Sequence, residues 1–197
     1  METTANQQLE HRDAGDRALL GFWIYLMTDL IMFAVLFAAF AVLRNNTFGG
    51  PSGAELFSMP FVLAETIILL MSSFTCGLMT LSANSGHVKT MALWLTVTFA
   101  LGVSFLSLEF TEFSRLIAEG NSWTRSAFLS SFFGLVGTHG LHITAGLLWA
   151  SVLAFGLWFR GLTSSAVRKL TLFSMFWHFL DIVWIFIFTI VYLLSYV

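Results

Sequence analysis

Five long apolar stretches alternate with short polar breaks along this chain. A membrane-spanning helix needs about 20 mostly apolar residues. The stretches Leu19–Leu43, Pro60–Leu81, Thr90–Leu116, Ala127–Phe159 and Leu170–Tyr196 all meet that length. The breaks carry turn chemistry: Asn45-Asn46-Thr47-Phe48-Gly49-Gly50-Pro51-Ser52-Gly53, the polar hairpin Ser82–Val88, Glu119-Gly120-Asn121-Ser122, and Arg160–Ser165. The fourth stretch is longer than a bilayer requires, so it should tilt or project. The pattern predicts an all-α, polytopic membrane protein. A polar cytoplasmic tail over residues 1–18 precedes a five-helix transmembrane domain over residues 19–197. No internal repeat and no low-complexity tract interrupts it.

Composition supports this class. Of the 197 residues, 57% are hydrophobic and 10% charged, against about 45–50% and 25% in soluble domains. The mean hydropathy is +0.84. A soluble chain this small could not hide so much apolar surface. The formal charge of −2 supplies no basic field for phosphates, which excludes nucleic acid as a partner. Cys76 is the only cysteine, so an internal disulfide, a cysteine zinc site and an iron–sulfur cluster are excluded. Residues Met1 to Arg17 are polar and of mixed charge, unlike a signal peptide, so the first stretch is expected to remain as an anchor.

Orientation follows from the basic residues in the breaks. With the N-terminus inside, Arg12, Arg17, Lys89, Arg160, Arg168 and Lys169 fall on the inner side and Arg44, Arg115 and Arg125 on the outer. This asymmetry predicts N-terminus in and C-terminus out. Trp23, Trp94, Trp123 and Trp158 lie near segment ends, where an interfacial aromatic belt would have them.

Ionisable residues inside spans are costly and mark functional candidates. Here they are Asp29, Glu65, Glu109, Glu112, His139, His142, His178 and Asp181. No Lys or Arg lies well inside a span, so the carboxyl groups must pair with histidines, pair with another subunit or remain protonated. Asp29 lies about 15 Å into its helix at 1.5 Å per residue. The histidines and Asp181 fall at similar depth, and Glu65, Glu109 and Glu112 lie nearer the outer surface. The pairs Glu109/Glu112, His139/His142 and His178/Asp181 are spaced i, i+3, so each shares a helix face. Ser130, Gly134, Gly137, Gly140, Thr144 and Ala145 form a small-residue face on the fourth helix. That face predicts close approach of a neighbour such as the fifth helix, and a buried network joining His139 and His142 to His178 and Asp181. Two alternatives stay open on the residues alone. His142 and His178 could ligate a transmembrane haem from two helices, although neither C-x-x-C-H nor H-E-x-x-H occurs. A small proton-coupled transporter could use the same carboxyl groups, although no inverted repeat or broken helix marks one.

Two dense motifs carry a resemblance. Gly137-Thr138-His139-Gly140-Leu141-His142 and Trp177-His178-Phe179-Leu180-Asp181-Ile182-Val183-Trp184 resemble signatures of subunit III of haem–copper respiratory oxidases. Met59-Pro60 and Glu109-Phe110-Thr111-Glu112-Phe113 are similar to that family as well, and the likeness covers roughly residues 20–197. The five-helix layout and the run from Gly21 to Asp29 look most like the bacterial cytochrome bo-type ubiquinol oxidases. Cytochrome c oxidases generally carry a seven-helix subunit III. Asp29 falls where the family keeps an intramembrane carboxyl group, which is Glu in other branches.

The resemblance implies a non-redox subunit of a proton-pumping complex that oxidises ubiquinol and reduces oxygen to water. It implies no catalytic, cofactor-binding or metal-ligating residue on this chain. Haems and copper are implied on a partner subunit I, within a hetero-oligomer that also holds subunits II and IV. The chain itself would stabilise subunit I, hold structural phospholipids and support proton uptake in the bacterial inner membrane.

Overall fold

The computed structural model describes residues 2–50 and 53–196, and every regular element among them is helical. The elements are α1 (Glu2–Leu43), α2 (Gly53–Leu56), α3 (Met59–Asn84), α4 (Val88–Ala118), α5 (Ala127–Arg160) and α6 (Ser164–Ile187). The chain then passes through a π-helical turn, Phe188–Tyr192, and a 3₁₀ turn, Leu193–Tyr196. Five helical segments are long and apolar enough to cross a membrane: Arg17–Leu43, Met59–Asn84, Val88–Ala118, Ala127–Phe159 and Ser164–Ser195. Helices are the expected solution, since each satisfies its backbone donors and acceptors within one segment where no water can.

The helix ends follow local chemistry. Pro60 stands in the first turn of α3, where its missing N–H costs nothing. Ser126 caps α5 by accepting from the Leu129 N–H at 3.2 Å, and Thr163 caps α6 by accepting from the Ala166 N–H at 3.2 Å. Gly161 ends α5 at φ 66, a left-handed value that a side chain would disfavour. Gly86, at φ 74, turns the tight α3–α4 connection.

The structure departs from the sequence expectation in three places. Helix α1 extends backward as one continuous helix from the first span to Glu2. The last helix begins at Ser164, about one and a half turns before Leu170. The break after the first span contains the short helix α2.

The spans close into a ring. Helix α3 packs on α4 and α6, α5 packs on α4, α6 and α1, and α1 packs on α6. The core between them is aromatic, with Trp177, Trp184, Tyr192, Phe33, Phe105, Phe132 and Phe173 almost fully buried. The outward faces keep large apolar side chains such as Ile31, Phe110, Leu141, Val152 and Phe155 exposed, as a bilayer or a membrane partner requires.

Candidate functional site: the intramembrane polar ties

The eight ionisable residues singled out from the sequence do not form one network. They separate into three groups and one solitary histidine.

The first group joins α1 to α5. Oδ2 of Asp29 lies 3.5 Å from Nε2 of His142, a polar contact longer than a hydrogen bond. Nδ1 of His142 stands 2.8 Å from the Thr138 carbonyl oxygen, which can only accept, so Nδ1 carries a proton. In the neutral ring, the nitrogen facing Asp29 is therefore the one without a proton. Tyr25, one turn earlier on α1, also reaches the Asp29 carboxyl group.

The second group joins α6 to α3. Nδ1 of His178 lies 2.6 Å from the Ser73 hydroxyl, and Asp181 reaches the same hydroxyl. One serine thus collects both members of the i, i+3 pair. The predicted partners were His139 and His142 on α5, and neither is among these contacts. The i, i+3 spacing correctly places His178 and Asp181 on one face, but it cannot say which helix that face meets.

The third group gathers at the end of the bundle that carries the C-terminus. Glu65 on α3 lies within electrostatic range of Glu109 and Glu112 on α4. The Tyr192 hydroxyl donates to Oε2 of Glu112 at 3.1 Å. His139 stands apart. It is fully buried among Phe33, Phe105 and Trp184, with ring centroids at 6.4, 6.0 and 5.3 Å, and neither of its nitrogens has a hydrogen-bond partner.

The small-residue face of α5 also works differently from the expectation. A Cβ on Gly134 would meet nothing within 4 Å. A Cβ on Gly140 would come 2.8 Å from Oε1 of Glu109, so Gly140 admits a carboxyl group from α4 and not the fifth spanning helix. Close approach to that helix belongs to Gly146, where a Cβ would come 2.8 Å from Cζ3 of Trp177. Gly102 on α4 receives the same indole from the other side, at 2.9 Å. Trp177 therefore fills a slot between two glycines, neither of which was singled out from the sequence.

Hydroxyl groups on α3, also unremarked in the sequence, complete the ties. The Trp177 indole N–H donates to Ser72 Oγ at 3.1 Å, and Ser72 donates to the Thr98 carbonyl of α4 at 3.1 Å. The Trp184 indole N–H donates to Thr66 Oγ1 at 3.1 Å, and Thr75 and Thr98 share a hydroxyl contact at 2.9 Å. The signal was present. Trp177 and Trp184 are seven residues apart on α6, and Ser72 and Thr66 are six apart on the antiparallel α3. Two antiparallel helices in register would pair them in that order.

Among the described residues, no group of three or more His, Cys, Asp or Glu is arranged to hold a metal ion. The histidines proposed as alternative haem ligands are engaged elsewhere, His142 with Thr138 and Asp29, and His178 with Ser73. Between α1 and α6 runs an apolar groove of about 750 Å³, lined by residues including Trp23, Leu30, Phe37, Met175, Phe179 and Phe186, with His178 as its one ionisable wall.

The fold and its ties define a polytopic helical membrane subunit whose buried polar groups lock helix to helix. Comparison with known proteins gives its family. The family model described as cytochrome c oxidase subunit III matches residues 1–196, and the chain belongs to that family. It is 56% identical over 183 residues to the cytochrome bo(3) ubiquinol oxidase subunit 3 of Pseudomonas aeruginosa, covering 93% of this chain and 88% of that protein. It is 43% identical over 192 residues to the quinol oxidase subunit 3 of Bacillus subtilis, covering 97% and 94%. It is 44% identical over 181 residues to the cytochrome c oxidase subunit 3 of Bacillus sp. strain PS3, covering 92% and 87%. The transporter alternative finds no support in these matches.

Proposed function

We propose that this chain is subunit III of a quinol oxidase, a non-catalytic member of a complex that oxidises ubiquinol and reduces oxygen to water. The observation that carries this reading is the family match across residues 1–196 together with the 56% identity to a ubiquinol oxidase subunit 3. The polar ties fit the role, because Asp29–His142, Ser73–His178 and Trp177–Ser72 each connect two helices of the bundle.

The partners follow from the role. Haems and copper reside on subunit I, against which this chain packs through its exposed apolar faces, in a hetero-oligomer with subunits II and IV. The groove between α1 and α6 suits acyl chains, so structural phospholipids occupy it. The location is the bacterial inner membrane, with the N-terminus inside, as the basic residues of the loops favour. The chain also supports proton uptake, and the Asp29 carboxyl group, facing His142 across 3.5 Å, is the intramembrane acid that suits this role.

The test is affinity purification of the tagged chain from its native membranes in mild detergent. Ubiquinol oxidase activity that follows the tag is the expected result. A tagged chain that elutes as an intact, folded protein without oxidase activity would contradict the assignment.

A further inference from the structure

Glu65, Glu109 and Glu112 are 0%, 3% and 2% exposed. Five of their six carboxyl oxygens have no protein hydrogen-bond partner, and the sixth accepts from Tyr192. They lie at one level: Glu65 is six residues inside the start of α3 and Glu112 six inside the end of α4, about 9 Å along each helix. Glu109 rests on the bare Cα of Gly140.

The π-helical turn brings Tyr192 to this place. Eight residues on from Trp184, an unbroken α-helix would carry Tyr192 about 80° away from the Trp184 face. The wider turn at Phe188–Tyr192 absorbs one residue, and the two rings stand with centroids 6.2 Å apart. The Tyr192 hydroxyl then lies within electrostatic range of all three carboxyl groups.

Among the described residues, no cation forms an ion pair with any of the three carboxyl groups. Arg115 is close enough to act on Glu112, but its Nη2 donates to the Leu56 carbonyl at 3.1 Å and its Nε faces Glu119 at 4.0 Å. His139 on α5 contacts aromatic rings, with neither nitrogen bonded. The described acidic groups do not converge as a metal site. Three carboxylates in one apolar interior cannot all stay ionised without a counter-charge. Buried polar atoms that lack protein partners are met by internal water in native proteins.

We propose that Glu65, Glu109, Glu112 and Tyr192 enclose a hydrated proton-holding site, in which water bridges the carboxyl groups and the cluster carries exchangeable protons at neutral pH. Its ligands are protons and water. Glu65 on α3, fully buried, with both carboxyl oxygens unpartnered and within electrostatic range of the pair on α4, is the feature that calls for them. The site is distinct from the Asp29–His142 pair, and it stands whichever partners the chain assembles with.

The experiment is infrared spectroscopy of the full chain, purified with the partners it holds in lipid nanodiscs at neutral pH, in H₂O and after transfer to D₂O. Subtracting the Glu65→Gln, Glu109→Gln or Glu112→Gln spectrum from the parent should leave the carbonyl-stretch band of a protonated carboxyl group for at least one variant. That band should shift in D₂O. Difference spectra showing only ionised carboxylate stretches for all three variants would overturn the proposal, as would a protonated band unmoved by D₂O. Tyr192→Phe removes a single hydroxyl and keeps the ring, so it reports even where a glutamine variant fails to assemble. It should shift a protonated-carboxyl band, and an unshifted set of bands would count against the site.

Discussion

Nε2 of His142 faces Oδ2 of Asp29 across 3.5 Å, and this contact ties the first spanning helix to the fourth. Nδ1 of His142 is committed as a donor to Thr138, so a neutral His142 presents only an acceptor to α1. A protonated Asp29 can donate to it, and so can an asparagine amide. Asp29→Asn should therefore leave detergent stability close to that of the parent. Asp29→Ala removes the polar partner that part-buried His142 meets on α1, at about 1 kcal/mol or less. Thermal unfolding of the two variants in the same detergent checks this order. Equal losses from both would show that the contact contributes little.

Trp177 is the second place where a small change has a definite sign. A methyl group on Gly146 would come 2.8 Å from its indole, and the other side of the ring is already closed by Gly102. Gly146→Ala should destabilise by about 1–3 kcal/mol through overpacking. Gly134→Ala, on the same helix with open space around it, should be nearly silent. The pair is read by the midpoint of thermal unfolding, and a silent Gly146→Ala would contradict the slot.

Ser73 serves both His178 and Asp181. Hydrogen bonds between membrane helices average about 0.6 kcal/mol. Ser73→Ala should cost at least that and loosen α6 from α3, while Asp181→Ala leaves the His178–Ser73 bond in place. Retention of subunit III during purification, compared between the two variants, is the measurement. A firmer hold in Ser73→Ala than in Asp181→Ala would reverse the assigned order.

Much of this architecture was legible in the chain because hydropathy over 20 residues is a strong signal. The five spans and the turn at Gly161 follow from it directly. Partner choice between helices was not legible. His178 and Asp181 show a shared face, but whether that face meets α5 or α3 depends on how all five helices close into a ring. The small residues of α5 pointed to close packing at Gly134, Gly137 and Gly140. Of these only Gly140 makes a tight contact, with a carboxyl group of α4, while the indole of α6 fits at Gly146. The π turn that aims Tyr192 at Glu112 has no simple sequence mark. The oxidase's electron donor is also not written in subunit III. Relatives at 43% and 44% identity are named for quinol and for cytochrome c respectively.

The basic residues of the loops predict the N-terminus inside and the C-terminus outside. A reporter that is active only outside the cytoplasm should work when fused after Val197 and fail when fused in the break between α3 and α4. Activity in the opposite pattern would invert the topology, and with it the side of the membrane on which Glu65, Glu109 and Glu112 lie.

This chain belongs to the oxidase subunit III family, and its place beside haem-bearing partners is open to direct measurement. The most direct measurement compares haem absorbance of the tagged chain purified from native membranes with that of the same chain expressed without partners. A haem spectrum and a large haem-bearing subunit are expected in the first preparation, and a folded chain without haem absorbance in the second. A stoichiometric haem band in the chain expressed alone, abolished by His142→Ala, would contradict that expectation.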